Sequence, residues 1–220
     1  MILAALFKWP GVLYALGRGG VRLGLGAAGI RVRVHGAEHI QHDRGAVYCA
    51  NHTSNLEPPI IYMALAAIHP RLKILYKAEL RPVFPVLRNA FDIVGFVPVE
   101  RRNREQSSRA IDGAAIALTR GDSFMIFPEG TRSRTGELLP FKKGGFVMAI
   151  KGRAAIVPVA IQGTRAAMRK GSLVIRPVTV SVRLGPPIGA DRFNVSQRTD
   201  LIACTRAAIE DLLAEGPVAT

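Results

Sequence analysis

The chain has 220 residues, 49% of them hydrophobic, and its mean hydropathy of +0.20 is high for a freely soluble protein of this size. That length is enough for one globular domain with a sizeable core, whereas two cysteines are too few for a disulfide framework. Thirty Lys and Arg residues against sixteen Asp and Glu give a formal net charge of +14, which favours an anionic partner: nucleic acid, a phosphorylated metabolite or an acidic lipid surface.

The first thirty residues are apolar or glycine except for three basic residues, Lys8, Arg18 and Arg22. No stretch reaches the roughly 18 uncharged apolar residues of a membrane span, and Pro10 with the glycines is expected to interrupt a helix. A signal peptide would carry its charges before the apolar run. We therefore predict that residues 1–30 form one or two short helices in the bilayer surface, with Trp9 and Tyr14 near the headgroups. The alternative is an apolar helix packed on the domain's own core.

Residues 31–220 alternate strand-like and helix-like segments without a linker or a repeat. The predicted strands are 31–35, 45–50, 72–76, 94–99, 123–127, 154–161 and 178–184. The predicted helices are 58–68, 104–120, 143–152 and 196–214. Because most of these strands are apolar enough to be covered on both faces, we predict a single α/β domain with a mainly parallel or mixed central sheet flanked by helices.

Four stretches with chemically useful side chains directly follow or lie within these predicted strands, where ligands bind in open α/β sheets. They are Asn51, His52 and Glu57 after strand 45–50, Arg101 and Arg102 in "GFVPVERR", the stretch "FPEGTRSRTGELLPFKKGG" after strand 123–127, and "IVPVAIQGTR", where Pro158 is expected to interrupt an apolar strand. Lysines 142 and 143 lie near the end of the third stretch.

The His52 and Glu57 spacing suits a base and its carboxylate partner. A histidine can take a proton from an attacking hydroxyl, and a carboxylate on its other nitrogen fixes the tautomer. No G-x-S-x-G elbow occurs, so His52 is predicted to activate the substrate's own hydroxyl rather than a protein nucleophile. Arginines at strand ends beside a glycine suit a phosphate. Together these features predict acyl or phosphoryl transfer involving a phosphorylated alcohol.

In order and spacing, "NHTSNLE", "GFVPVER", "FPEGTRS" and "IVPVAI" resemble the four motif blocks of the bacterial 1-acylglycerol-3-phosphate acyltransferases, the lysophosphatidate acyltransferase branch of the glycerolipid acyltransferase family. The resemblance covers about residues 31–190. It implies transfer of a fatty acyl group from an acyl thioester, acyl-CoA or acyl-carrier-protein, to the sn-2 hydroxyl of 1-acylglycerol-3-phosphate, which makes phosphatidic acid. We expect no cofactor, and the sequence offers no metal site. The apolar, basic leader and the two reduced cysteines predict an enzyme held on the cytoplasmic face of the inner or plasma membrane, peripherally or monotopically, against an anionic membrane surface.

The resemblance also implies residue roles. His52 is the general base and Glu57 its acidic partner. Residues implied to bind the glycerol phosphate are Arg101, Glu129, Gly130, Thr131, Arg132 and, less directly, Lys142, while Pro158 belongs to the block that shapes the acyl-donor site. The main departure is Glu57, where the family usually has aspartate, so the longer side chain needs a displaced loop or a folded rotamer. Arg102 and Arg104 compete with Arg101 for the phosphate role. Position favours Arg101 over Arg102, since neighbouring side chains on an extended segment point to opposite faces.

Other functions and sites fit the sequence less well. Cys49 and Cys204 lie far apart on apolar segments, and we predict that both are reduced core residues. The closely spaced His35, His39 and His42 lack partner carboxylates or cysteines and are predicted to be turn residues rather than zinc ligands. Nucleic-acid binding explains the charge, but aromatic residues are only 6% of the chain and no helix-turn-helix, RNP or zinc-finger pattern occurs.

Three further alternatives concern lipids and phosphate. A phosphatase would need a nucleophile or metal cluster that the sequence does not offer. A non-catalytic basic lipid-surface protein would not explain why His52 and Glu57 are paired. For the predicted enzyme, another lysolipid such as lyso-ornithine lipid is an alternative acceptor.

Overall fold

The computed structural model describes residues 9–80, 85–100 and 104–218. Within these ranges the strands are β1 (Ile30–His35), β2 (Ala46–Ala50), β3 (Leu72–Lys77), β4 (Val97–Val99), β5 (Ser123–Ile126), β6 (Ala155–Gln162) and β7 (Val178–Leu184). The helices are α1 (Pro10–Ala27), α2 (Glu57–Ala64), α3 (Pro85–Ile93), α4 (Arg104–Thr119), α5 (Gly144–Lys151), α6 (Thr164–Ala167) and α7 (Arg198–Ala214).

All seven strands form one sheet in the order β1-β7-β6-β2-β5-β3-β4. Every neighbouring pair is parallel except β6 and β7, which are antiparallel. The predicted α/β class with a mixed sheet flanked by helices is therefore confirmed. The order places β2 between β5 and β6, so the carboxyl ends of three consecutive parallel strands meet at one edge of the sheet.

The hydrophobic core lies on both faces of the sheet, and β2 contributes side chains to each face. Tyr48 belongs to a cluster on one face with residues of α2, β6 and β7, whereas Val47 and Cys49 belong to a cluster on the other face with residues of α4, α5 and α7. Successive side chains of a strand point to opposite faces, so a strand covered on both sides must be apolar throughout. All five residues of β2 are fully buried, which explains the unbroken apolar run before His52.

Helix α1 is continuous over 18 residues, so the expectation that Pro10 and the glycines would interrupt it is wrong between residues 10 and 27. Pro10 occupies the first helical turn, where its missing N–H costs nothing. Leu13 and Tyr14 are buried, and the Tyr14 hydroxyl donates to the Leu72 carbonyl. The prediction that Tyr14 lies near the headgroups is therefore wrong. Leu23 on the same helix is 76% exposed. Among the described residues, no helix combines the length and the apolar character needed to cross a membrane.

Two helices were not predicted from the sequence, α3 and the short α6, and the predicted helix 58–68 is helix α2 followed by a 3₁₀ turn, Ala66–Ile68. The prediction that both cysteines are core residues is confirmed for Cys49 and wrong for Cys204. Cys49 is buried in β2, but Cys204 is exposed. Helix α7 turns Leu201, Thr205 and Ile209 inward, which leaves Cys204 on its outer side.

Candidate active site

The site is built at the carboxyl ends of β6, β2 and β5, which are adjacent in the sheet. Asn51 and His52 follow β2, Glu129 follows β5, and Thr164 follows β6. The Asn51 side chain fixes the end of β2 to β6, because its Nδ2 donates to the Ile161 carbonyl at 3.0 Å and its Oδ1 accepts from the Ile161 N–H at 2.7 Å. Two of the predicted motif blocks, the first and the fourth, are therefore joined at this edge.

His52 and Glu57 form a direct pair, as their spacing predicts. The His52 Nδ1 lies 2.6 Å from Glu57 Oε2, and the imidazole ring stacks on Phe127 with a centroid separation of 4.1 Å. The side chain of His52 is 16% exposed, whereas that of Glu57 is fully buried. When Nδ1–H donates to the carboxylate, Nε2 is the nitrogen that remains to accept a proton. The arrangement therefore suits a general base with a partly accessible ring.

The buried Glu57 carboxylate accepts several hydrogen bonds besides the one from His52. Its Oε1 accepts from the hydroxyls of Thr53 and Thr164, both at 2.7 Å, and from the Ser54 N–H at 3.1 Å. The Thr53 N–H lies 2.9 Å from both carboxylate oxygens. Glu57 is the first residue of α2, and its side chain folds back over the loop that precedes the helix. This folded side chain explains how a glutamate reaches His52 where the resembling family usually has aspartate.

Glu129 connects the first and third motif blocks. Its Oε1 accepts from the His52 N–H at 2.7 Å and its Oε2 from the Leu139 N–H at 3.0 Å. Burial raises the pKa of the Glu129 carboxyl above its usual value, and the two backbone donors oppose that rise. The structure thus gives both carboxylate oxygens backbone partners, while the role predicted for Glu129 in binding substrate stays a prediction.

The loop with Gly130, Thr131 and Arg132 lies beside the histidine. The Ser133 N–H donates to the His52 carbonyl at 2.7 Å. Gly130 has φ +70°, a left-handed conformation that favours glycine and turns the chain after Glu129. Thr131 is exposed and Arg132 is half-buried. These positions agree with the predicted phosphate loop without testing it.

The two remaining predicted ligands are less defined by the structure. The Lys142 N–H donates to the Pro128 carbonyl at 2.7 Å, and the lysine side chain is exposed just before α5. Arg101, with its competitor Arg102, lies outside the described residues. Pro158 is buried inside β6, and the strand continues through it, so the expectation that Pro158 would interrupt the strand is wrong.

Thr164 is a site residue that the sequence analysis missed. It is fully buried, begins α6, and lies 107 positions from the carboxylate that it contacts. The only signal in the sequence is its place directly after a strand, in "IQGTR". Within the described ranges, no group of three or more His, Cys, Asp or Glu side chains is arranged to hold a metal ion.

Comparison with known proteins agrees with this geometry. The family model described as Acyltransferase matches residues 31–162. The 1-acyl-sn-glycerol-3-phosphate acyltransferase of Limnanthes douglasii is 32% identical over 209 residues, which are 92% of this chain and 72% of the plant enzyme. The enzyme of the same name from Borreliella burgdorferi is 28% identical and covers 86% of this chain and 74% of its own.

A solved structure is also similar. The crystal structure of the 1-acyl-sn-glycerophosphate (LPA) acyltransferase PlsC from Thermotoga maritima superposes with a TM-score of 0.77 at 25% sequence identity, over 94% of this chain and 81% of that one. The family match spans the positions of all four motif blocks, and the structural match covers most of the chain. The chain belongs to the acyltransferase family, as do the relatives named above, which are 1-acyl-sn-glycerol-3-phosphate acyltransferases.

Proposed function

We propose that this protein is a 1-acylglycerol-3-phosphate O-acyltransferase, which moves a fatty acyl group from an acyl thioester to the sn-2 hydroxyl and so makes phosphatidic acid for phospholipid synthesis. The observation that carries the proposal is the pair of His52 with the buried Glu57, 2.6 Å apart and beside the Glu-Gly-Thr-Arg loop. The relatives named above support the same activity.

The proposed chemistry is direct transfer. His52 Nε2 takes the proton of the sn-2 hydroxyl as that oxygen attacks the thioester carbonyl carbon, and Glu57 stabilises the imidazolium that forms. The carbon–sulfur bond then breaks, and the imidazolium returns its proton to the leaving thiolate. In this proposal neither thiol is the nucleophile: burial raises the pKa of the Cys49 thiol far above its usual value, and Cys204 is exposed on the outer side of α7.

The proposed phosphate site consists of Arg101, Thr131 and Arg132, with Lys142 at its border. Arg offers a bidentate fork to a phosphate, and a glycine such as Gly130 lets the backbone approach it. In this proposal Glu129 acts mainly by holding the loop to the His52 backbone, since its oxygens already accept from backbone N–H groups.

The acyl donor is acyl-CoA or acyl-carrier-protein, and no cofactor takes part. The proposed location is the cytoplasmic face of the plasma membrane, with residues 1–30 as a peripheral or monotopic anchor on anionic lipid. Apolar side chains that α1 leaves exposed support this anchor, since they gain from burial in the headgroup region. They are Val12, Leu16 and Leu23.

An acceptor panel with purified protein tests the proposal. If arginines bind the phosphate, then monoacylglycerol, which lacks it, should have a kcat/KM at least about tenfold lower than lysophosphatidate, because each bond to a charged group contributes about 1.5 to 3 kcal/mol. Equal rates on both acceptors would contradict the phosphate site. A preference for lyso-ornithine lipid would assign another lysolipid as substrate, and no transfer to any acceptor would favour a non-catalytic lipid-surface protein.

A further inference from the structure

A short closed loop between α6 and β7 carries apolar side chains into solvent. The Arg176 N–H donates to the Ala167 carbonyl at 2.9 Å and closes the neck of this loop. Its end, which we call the apolar tip, consists of three consecutive residues that are 94%, 64% and 43% exposed: Leu173, Val174 and Ile175. Single exposed apolar residues are ordinary on protein surfaces, but three adjacent ones at the end of a projecting loop mark a contact site.

Basic side chains surround the apolar tip. Arg169 and Arg176 are exposed and flank it on both sides, and Lys170 is half-buried at its base. Between residues 138 and 190 the sequence contains nine Lys and Arg residues and no Asp or Glu. The basic side chains on both sides of the apolar tip therefore complement an anionic surface.

The base of the same loop is bonded to the active site. Ser54 lies two residues after His52, and its hydroxyl donates to the Met168 carbonyl at 2.8 Å. Lys170 Nζ donates to the Arg132 carbonyl at 2.8 Å, within the predicted phosphate loop. The base of the loop is thereby bonded to two of the loops that form the His52 site.

We propose that the apolar tip inserts into an anionic lipid bilayer and holds the His52 site at the membrane surface from which a single-chain lipid acceptor enters. Burial of apolar side chains beneath the headgroups and attraction of flanking Lys and Arg to anionic lipid are the two contributions that bind such segments. An acidic protein partner is the alternative occupant, and the vesicle and donor experiments below distinguish it from the bilayer. The inference rests on the proposed function only in taking the acceptor to be a lipid.

Vesicle partitioning of the full chain tests the bilayer contact. The probe is phosphatidylcholine vesicles with and without phosphatidylglycerol, and the variant replaces Leu173, Val174 and Ile175 by serine. Binding to the anionic vesicles should weaken on the order of 10-fold to 100-fold, because the lost apolar burial contributes on that scale. The matched control is Ile116→Ser, at a 54% exposed aliphatic residue on α4, which should bind as the wild type does. Equal binding of the triple variant and the control would overturn the proposal.

Insertion of the apolar tip into the bilayer is measured by the fluorescence of a single tryptophan placed in it. In a Trp9→Phe background, which removes the one native tryptophan, Val174→Trp should show a blue-shifted emission and quenching by brominated lipid when anionic vesicles are added. Ile116→Trp in the same background should show neither effect. An unshifted and unquenched emission from position 174 would show that the loop stays in water, whatever the vesicle affinity of the chain.

Comparing acceptors separates this inference from the proposed function. The serine variant should lose much more activity on vesicle-borne lysophosphatidate than on a short-chain, water-soluble lysophosphatidate. No transfer by the wild type to either acceptor would refute the proposed function while the vesicle experiments still report on the loop. Unchanged vesicle binding with activity lost only when acyl-carrier-protein is the donor would instead make the loop a protein contact and overturn the bilayer proposal.

Discussion

Residue 57 is a glutamate where the family usually has the shorter aspartate, and the hydrogen-bond partners around Glu57 match the longer side chain. One oxygen accepts from Thr53, Ser54 and Thr164, while the other meets His52. A carboxylate with so many donors is held in one position, and it holds the imidazole in turn. The residue that departs from the usual family motif is therefore matched by its own set of partners.

Replacing Glu57 by aspartate tests this match. The shorter side chain withdraws the carboxylate by about one bond length, so it cannot meet His52 and Thr164 together, and we expect kcat to fall about tenfold, since small misplacements near the reacting groups are costly. The KM for acceptor should stay near the wild-type value, as measured by steady-state kinetics. Full activity in Glu57→Asp would mean that the loop adapts to either acid and that the contacts described here do not set its position.

Thr164 acts on His52 only through Glu57, so its predicted effect is on kcat rather than on binding. Thr164→Val keeps the shape but removes the donor, and we expect kcat to fall about 3-fold to 30-fold, because one hydrogen bond to a charged group contributes about 1.5 to 3 kcal/mol and the other donors remain. Thr164→Ser restores the hydroxyl and should recover most of the rate. If serine and valine variants lose the same activity, the threonine serves packing alone.

At the scale of elements, α1 belongs partly to the folded core. Tyr14 is buried, its ring stacks on Tyr62 at 5.7 Å, and the Tyr62 hydroxyl donates to the Tyr14 carbonyl at 2.9 Å. Other residues of the helix, such as Leu16 and Leu23, remain exposed. The interpretation of the leader as a packed helix thus holds for one side of α1. The membrane-surface interpretation stays a prediction, and it concerns the apolar side chains that remain exposed.

Two substitutions on α1 separate packing from exposure. Tyr14→Ala removes a buried ring and its hydrogen bond, and we expect a loss of about 3 kcal/mol or more in the free energy of unfolding, by analogy with other buried aromatic truncations. Leu16→Ala, at a 45% exposed position, should stay within about 0.5 kcal/mol of the wild type. Denaturant unfolding followed by circular dichroism measures both. Equal stabilities would place α1 outside the cooperative core.

The sequence predicts the strands well because each is a short apolar run bounded by turn residues, and a strand covered on both faces needs that composition. All seven strands lie where the runs predict them, within a few residues at each end. Helices α3 and α6 were not predicted. Helix α6 has four residues, too few for a 3.6-residue period to be visible. The order of strands in the sheet was not predictable either, because pairing between distant strands leaves no local pattern.

At the scale of the whole molecule, strand order is what assembles the site. β2 and β6 are neighbours although more than a hundred residues separate Asn51 from Ile161. The pair of His52 with Glu57 was predictable because both residues lie in one loop. The contacts of Thr164 and Asn51 with the other blocks were not, since they depend on which strands lie side by side.

The burial of the core also predicts the behaviour of the two thiols. Burial raises the pKa of the Cys49 thiol, so it should stay protonated and out of reach in the folded protein. Cys204 is exposed. We expect one thiol to react with a water-soluble disulfide reagent under native conditions and both to react after unfolding, with Cys204→Ser removing the native reaction. Two reactive thiols in the native protein would show that the centre of the sheet opens readily.

The central claim is that His52 takes the proton of the acceptor hydroxyl and that Glu57 assists it. The most direct measurement is kcat for phosphatidic acid formation from lysophosphatidate and acyl-CoA by wild type, His52→Ala and Glu57→Gln, each confirmed as folded by circular dichroism. We predict that His52→Ala loses on the order of 10²–10⁴-fold in kcat, the usual range for a positioned base, and that Glu57→Gln loses less. Near-wild-type kcat in folded His52→Ala would contradict the account.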